Sequence, residues 1–277
     1  MLKGKRGLIL GVANKRSLAW SIAKSCSAQG AELALTCLGE RFEPTVRKLC
    51  TQLPGGEDIP ILQVDVVQED QIDAAAVELG RIWDRLDFIV HSIAYANPRE
   101  LKGRFRDTSR EGFNVALDIS AYSVIPFARA FAPMMTNGGS IVALSYLGGE
   151  RVVPNYNVMG VAKAALDSAM RYLAYDLGPQ GIRVNTVAPG PVRTVSAASV
   201  GDFSNMLEHV QAVAPLRRNI SGEEVGNVVS FLVSDLASGV TGTLIPVDCG
   251  FTVLGVTTGI KDPEKSAAEP ADGGATA

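Results

Sequence analysis

The chain of 277 residues is 47% hydrophobic and 20% charged, which is enough apolar material for a full core and the wrong composition for extended disorder. Its formal net charge of −3 is spread over mixed Lys, Arg, Asp and Glu without a basic block, so nucleic acid is not expected as a partner. Cys26, Cys37, Cys50 and Cys249 form no CxxC pair, and His91 and His209 have no ligand-spaced neighbour; free buried thiols are expected rather than a disulfide framework, and no metal site.

The opening MLKGKRGLILGVANK carries a short apolar run with no cleavage-like segment after it, and no run elsewhere suggests a membrane span. A cytoplasmic chain without membrane insertion is expected. From there, strand-like runs alternate with helical stretches: Gly7 to Leu10, Ala31 to Cys37, Ile59 to Val64, Phe88 to Val90, Ser140 to Leu144, Arg183 to Val187 and Thr243 to Val247. Each run is continuously apolar, as in strands of a parallel sheet covered on both faces. No linker-like shift in composition interrupts them. The expected fold is α/β, a single doubly wound Rossmann domain with a seven-stranded parallel sheet, over residues 1–258. The remainder, 259–277, is rich in Ala, Pro, Gly and charge and is expected to be a disordered tail.

At the first strand end, Gly11 leads through Val12–Arg16 to Ser17 and a helix-periodic stretch from Leu18 to Ala28 that Gly30 terminates. A loop opening onto a helix N-terminus offers free N–H groups and a positive dipole end to a pyrophosphate, and Ser17 could add a hydroxyl donor. With a single glycine left of the usual GxGxxG, an ordinary strand-to-helix turn explains the segment equally well. Support comes from other strand ends, where ligands of open α/β sheets sit. Asp65-Val66 ends the third strand, His91-Ser92-Ile93-Ala94 the fourth and Ala188-Pro189-Gly190-Pro191 the sixth. His91 itself is better read as tying down a strand end than as catalytic. After the second strand, Leu38-Gly39-Glu40-Arg41 occupies the region that reads the adenosine ribose. Leu38 supplies neither the carboxylate that suits NAD nor the cation that suits NADP, and one Arg beside Glu40 makes a poor phosphate clamp; the balance favours NADH, with NADPH the alternative.

The segment Leu144-Ser145-Tyr146-Leu147-Gly148-Gly149, followed by Pro154-Asn155-Tyr156-Asn157-Val158-Met159-Gly160-Val161-Ala162-Lys163, is the most informative. Pro154 and Asn155 suggest a helix start, which would put Tyr156 and Lys163 on one helix. Seven residues turn about 700°, roughly 20° short of two turns, and rise about 10 Å, so both side chains would share a face. Hydride reduction places negative charge on a substrate oxygen. A phenol can stabilise that charge, and an ammonium can hold the cofactor ribose beside it.

With these motifs the chain resembles the short-chain dehydrogenase/reductases, and within them the enoyl-acyl-carrier-protein reductases of bacterial type II fatty-acid synthesis. Common short-chain enzymes carry Tyr-x-x-x-Lys, but here Met159 fills that tyrosine slot. The enoyl reductases carry Tyr-x-x-Met-x-x-x-Lys preceded by Ser-Tyr-Leu-Gly, and this chain has both. The similarity runs from Gly4 to about Phe251 through HSIA, Asp118–Ser123, PNYNVMG, GPVRT, APLRR and VDCGF. Leu38, and Pro189 in Ala-Pro-Gly-Pro, depart from the pattern of many relatives. The resemblance implies NADH-dependent reduction, or NADPH-dependent reduction, of a trans-2-enoyl thioester on acyl carrier protein, with Tyr146, Tyr156 and Lys163 catalytic. It places Gly11, Ser17, Leu18, Leu38, Asp65, Val66, Ser92, Ile93, Lys163, Val192, Arg193, Thr194, Val195 and Ser196 at the cofactor. Ala96, Tyr146, Tyr156, Met159, Phe203 and Met206 fall at the substrate. It also implies a homotetramer. Phe203, Met206 and Leu207 among small and polar residues predict a lid over an apolar acyl slot at 194–210, against the alternative of an ordinary surface helix. Two rival readings are a ketoacyl or alcohol-type short-chain reductase, opposed by Met159 and by Leu144–Tyr146 where a catalytic serine is normally found, and a nucleotide-binding sensor, opposed by an intact Tyr156 and Lys163.

Overall fold

A computed structural model describes residues 1–194 and 203–257. The tail expected at 259–277 lies outside them. Seven strands form one parallel sheet: β1 (Arg6–Leu10), β2 (Glu32–Cys37), β3 (Ile61–Gln63), β4 (Phe88–His91), β5 (Gly139–Leu144), β6 (Ile182–Pro189) and β7 (Leu244–Val247). Their spatial order is β3-β2-β1-β4-β5-β6-β7. Strands are therefore added outward in opposite directions from the β1–β4 pair, where doubly wound sheets open a crevice at their carboxyl ends. Each strand lies within two residues of its expected bounds. Apolar runs without alternation suit such a sheet because successive side chains enter opposite cores. Leu8 and Leu10 pack on one side with α3 (Glu69–Ile82), α5 (Val124–Phe131) and α6 (Val158–Leu177). Ile9 packs on the other with α1 (Leu18–Ala28), α2 (Glu43–Cys50) and α8 (Gly222–Val233). A third, smaller cluster joins Ala96, Leu101, Ala116, Val158, Met159 and Ala162 at the mouth of the crevice.

α1 begins where the sequence places it because Ser17 caps it, its Oγ accepting from Trp20 N at 3.4 Å. The start of α8 is fixed more tightly. Ser221 Oγ accepts from Glu224 N at 3.2 Å while Ser221 N donates to Glu224 Oε2 at 2.8 Å, a reciprocal capping box. Ser221→Ala leaves an amide at the helix end without its partner and should cost about 0.5–2 kcal/mol, read from denaturant midpoints at unchanged m-value.

The helical run Arg110–Met134 is apolar and long enough to cross a membrane by composition, contrary to the sequence expectation. Over half of its most apolar stretch is buried, and Phe127 and Phe131 are wholly inside the core, so the apolarity has an interior cause. The run is not a single α-helix: α4 (Arg110–Leu117) passes into a π-helical turn at Asp118–Tyr122 before α5.

Candidate active site

The carboxyl ends of β1 and β4 approach each other through backbone. Leu10 pairs with His91, and Gly11, at φ +85°, stands so near that a Cβ there would meet Ser92 O at 2.5 Å and Ile93 Cγ1 at 3.0 Å. Only glycine fits that floor, which gives the lone remaining glycine of the nucleotide loop its reason. Ser17 spends its hydroxyl proton on Asn14 O at 2.7 Å, so it serves the helix cap and is not a free donor as the sequence suggested. Leu38, at the end of β2, is exposed, as are Glu40 and Arg41. Asp65 turns its carboxylate onto Val67 N at 3.2 Å, and its own N donates to Gln71 Oε1, which orders the loop after β3. His91 is buried. Ser123 Oγ donates to Ile119 O, so it accepts from His91 Nε2 at 2.8 Å, and the imidazole holds the end of β4. Burial drives its pKa down to about 3, and the neighbouring Lys163 adds to that, so the ring is neutral at working pH.

Tyr156 and Lys163 do not share a helix. α6 begins at Val158, and Tyr156 sits in the turn before it, between Asn155 (φ +62°) and Asn157 (φ +40°). Two left-handed asparagines break helical geometry, so the two-turn argument fails although the residues serve one region. Lys163, within α6, is buried and donates from Nζ to Leu144 O at 2.7 Å, at the end of β5. Tyr156 instead packs against Tyr146, ring centroids 4.8 Å apart and planes at 59°, and Tyr146 Oη donates to Met206 Sδ at 3.4 Å.

Tyr146, Tyr156 and Met206 wall a cavity of about 350 Å³. Of the expected substrate residues, Ala96, Tyr146, Tyr156, Met159, Phe203 and Met206 all line it, and so do Leu18, Val192 and Thr194 from the expected cofactor set. Gly11, Ser17, Leu38, Asp65, Val66, Ser92, Ile93, Lys163 and Arg193 are not in its wall; most of them follow the strand ends β1 to β4 instead. Val195 and Ser196 lie outside the described residues. Past them, α7 (Phe203–Val213) presents Phe203 and Met206 to the cavity and buries Leu207 and Val210 in the core. The core-facing stripe and the cavity wall are thus two sides of one helix.

Burial sets the electrostatics. The Tyr146 phenol is pushed up to about 12, and that of Tyr156 higher still, by burial first and then by Tyr146 and Asp167. Both remain neutral donors at any working pH. Burial lowers Lys163 to about 8, opposed by Asp167, so its charge is conditional on its neighbours.

Several contributors escaped the sequence reading. A Cβ on Gly148 would lie 2.4 Å from Tyr156 Cδ1, and one on Gly160 would lie 2.7 Å from Gly148 O, so two glycines make room for the tyrosine pair. Ser120, in the π-helical turn, receives Tyr95 N at 2.9 Å and donates to Tyr95 O at 3.0 Å, clamping a cavity-wall segment. A π-turn widens the helix by one residue, and such turns concentrate at functional sites. No periodicity reveals it. Asp118–Ser123 stood out in the sequence only as a matched stretch.

The profile of the family described as enoyl-(acyl carrier protein) reductase matches residues 11–252. A Bacillus cereus protein named enoyl-[acyl-carrier-protein] reductase [NADH] is 49% identical over 255 residues, covering 92% of this chain and 99% of its own. The Escherichia coli protein of the same name is 45% identical over 253 residues, 91% and 95% of the two chains. Among solved structures, the Bacillus cereus enoyl-acyl carrier protein reductase with NADP+ and an indole naphthyridinone superposes with a TM-score of 0.90 at 49% identity, covering 92% of this chain and 99% of the other. An Anaplasma phagocytophilum reductase in complex with NAD gives 0.87 at 46%, covering 93% and 95%.

Proposed function

This chain belongs to the enoyl-(acyl carrier protein) reductase family, and on that premise we propose that Tyr156, Lys163 and Tyr146 carry its chemistry. The reaction is reduction of the carbon–carbon double bond of a trans-2-enoyl thioester borne on acyl carrier protein, a step of fatty-acid elongation, with NADH as reductant. One observation supports the residue assignment above others: the Tyr146–Tyr156 pair and Met159 face one apolar cavity that opens beside the switch point of the sheet.

The residues present fit a dinucleotide. Gly11 leaves a floor that any Cβ would fill, α1 begins immediately beyond the loop, and exposed, apolar Leu38 offers no donor to a 2′-phosphate, which suits NADH. Gly11, Ser17, Leu18, Leu38, Asp65, Val66, Ser92 and Ile93 would hold its adenosine and pyrophosphate portions, and Lys163 with the residues Val192 to Ser196 would hold its nicotinamide ribose. When bound, it supplies hydride to the β-carbon of the enoyl group.

Negative charge then develops on the thioester oxygen. Tyr156, held neutral by burial, donates a hydrogen bond to that oxygen and stabilises the enolate, whose α-carbon then takes a solvent-derived proton to give the saturated acyl thioester. Lys163, anchored to Leu144 O, places an ammonium beneath the same region and holds the ribose hydroxyls. Tyr146 braces the ring of Tyr156 and, through Met206, ties the acyl wall to the reacting end. Ala96, Met159, Phe203 and Met206 take the first carbons of the acyl chain and exclude water. Phe203 to Val210 of α7, the described helical part of the lid expected at 194–210, cover this slot. Assembly as a cytoplasmic homotetramer belongs to the same reading; Tyr172 and Tyr175, 74% and 84% exposed on α6, support a buried role for that face between subunits.

The test compares oxidation of NADH and of NADPH with a crotonyl thioester and, separately, with an acetoacetyl thioester. The expected result is NADH consumption with the crotonyl substrate alone. Faster turnover of the acetoacetyl thioester would assign the cavity to ketone reduction instead.

A further inference from the structure

The surroundings of Lys163 hold a carboxyl group that the mechanism above leaves unused. Asp167 follows Lys163 by four residues on α6, so the two side chains lie one turn apart on the same helix face. Both are buried, at 4% and 6% exposure. Asp167 Oδ2 packs over the turn that follows β5, where a Cβ on Gly149 would stand 3.0 Å from it. The Ser145 hydroxyl faces the carboxyl and favours its charged form, yet neither Ser145 Oγ nor Asp167 Oδ1 completes a hydrogen bond of good geometry. Burial raises the pKa of the Asp167 carboxyl, and Ser145, Lys163 and Arg171 oppose that rise; a carboxylate this deep and this sparsely bonded costs stability unless a charge compensates it.

Lys163 supplies that charge from one turn away, and the benefit is mutual. The remaining charged and titratable groups facing the pair are few. His91, from β4, is kept neutral by burial and then by Lys163; Glu150, after β5, disfavours the carboxylate; Arg171, one turn further along α6, favours it; and Tyr156, in the turn before α6, is a neutral phenol. Among the described residues, Asp167 is the charged group that favours the charged form of Lys163, beside the Leu144 carbonyl that accepts from its Nζ. We propose that Asp167 is a positioning residue that acts through Lys163: its carboxylate, seated between Ser145 and Gly149 one turn along α6, keeps Lys163 an ammonium while Leu144 O holds that ammonium at the end of β5. The inference rests on the role proposed for Lys163 in cofactor binding.

The sign follows from the cavity's polarity. Burial depresses Lys163 to about 8 while Asp167 opposes that depression. Removing the carboxylate takes the amine lower, so activity that needs the ammonium fades from a lower pH as pH rises. Asp167→Asn should therefore move the alkaline limb of kcat/KM down by about one pH unit, roughly a fivefold loss at pH 8 that approaches tenfold at higher pH, with little change at pH 6. Asp167→Glu, which keeps the charge, should return the limb towards the parent position. A folded Asp167→Asn enzyme with an unmoved limb overturns the proposal, even if its thermal stability falls, because a merely structural carboxyl would shift stability and not the profile. Should the variants not fold, the parent protein with 13C-labelled lysine Cε and aspartate Cγ answers the same question: the Lys163 resonance must inflect where Asp167 titrates, and independent titrations overturn the coupling. Lys163→Met separates the two claims. Full turnover in that variant removes the role of Lys163 itself, whereas an inactive Lys163→Met beside an unmoved Asp167→Asn profile removes only this inference.

Discussion

Tyr156→Phe should lower kcat on the order of 10²-fold while leaving the NADH dissociation constant near that of the parent enzyme. The phenol is the donor placed where oxyanion charge develops, and burial holds it neutral, so its hydrogen bond strengthens as the enolate forms. The ring remains, and with it the packing against Tyr146 at 4.8 Å, so the cavity keeps its shape. Steady-state kinetics on a crotonyl thioester, paired with fluorescence titration of NADH, separate the two effects. A variant that lost cofactor affinity as heavily as turnover would show that Tyr156 serves binding instead of the reacting oxygen.

The second large effect is expected from a residue with no functional group. In Gly148→Ala the new Cβ would lie 2.4 Å from Tyr156 Cδ1 and 3.3 Å from Tyr146 Cδ1, inside a corner already closed by Gly160. The backbone there is regular, so the cost is overpacking, about 1–3 kcal/mol, and the ring nearest the new methyl must move. A displacement of about 1 Å at a reacting group costs on the order of 10²-fold in rate. Turnover should fall by that order while the melting temperature drops by several degrees. Parent-like turnover in Gly148→Ala would mean that the tyrosine pair tolerates a shifted ring, and the tight geometry assigned to it would be wrong.

The nucleotide half of the molecule was legible along the chain because its determinants are local. Continuous apolar runs give strands buried on both faces, Ser17 before Leu18 gives a cap, and Gly11 and Gly30 give turns; each signal spans a few residues and survives without knowledge of its neighbours. The signature Tyr-x-x-Met-x-x-x-Lys was likewise readable, and Ala96, Met159, Phe203 and Met206 meet in the cavity as expected.

What the signature meant in space was not readable. Helical spacing alone put Tyr156 and Lys163 on one face, but left-handed Asn155 and Asn157 detach the tyrosine from α6, and it is positioned by Tyr146 and by the room left at Gly148, in the turn after β5, and at Gly160 in α6. Likewise, the sequence reading passed over the apolar run Arg110–Met134, and its burial against the sheet is what accounts for its apolarity. The sequence by itself determined the order and kind of elements, the family and the residue types at the site, since these follow from local pattern. Tertiary packing alone decided which atoms face the cavity, how burial raises two phenols and lowers one amine, and why Asp167 matters. Desolvation and steric fit depend on residues distant in the chain, and no periodicity encodes them.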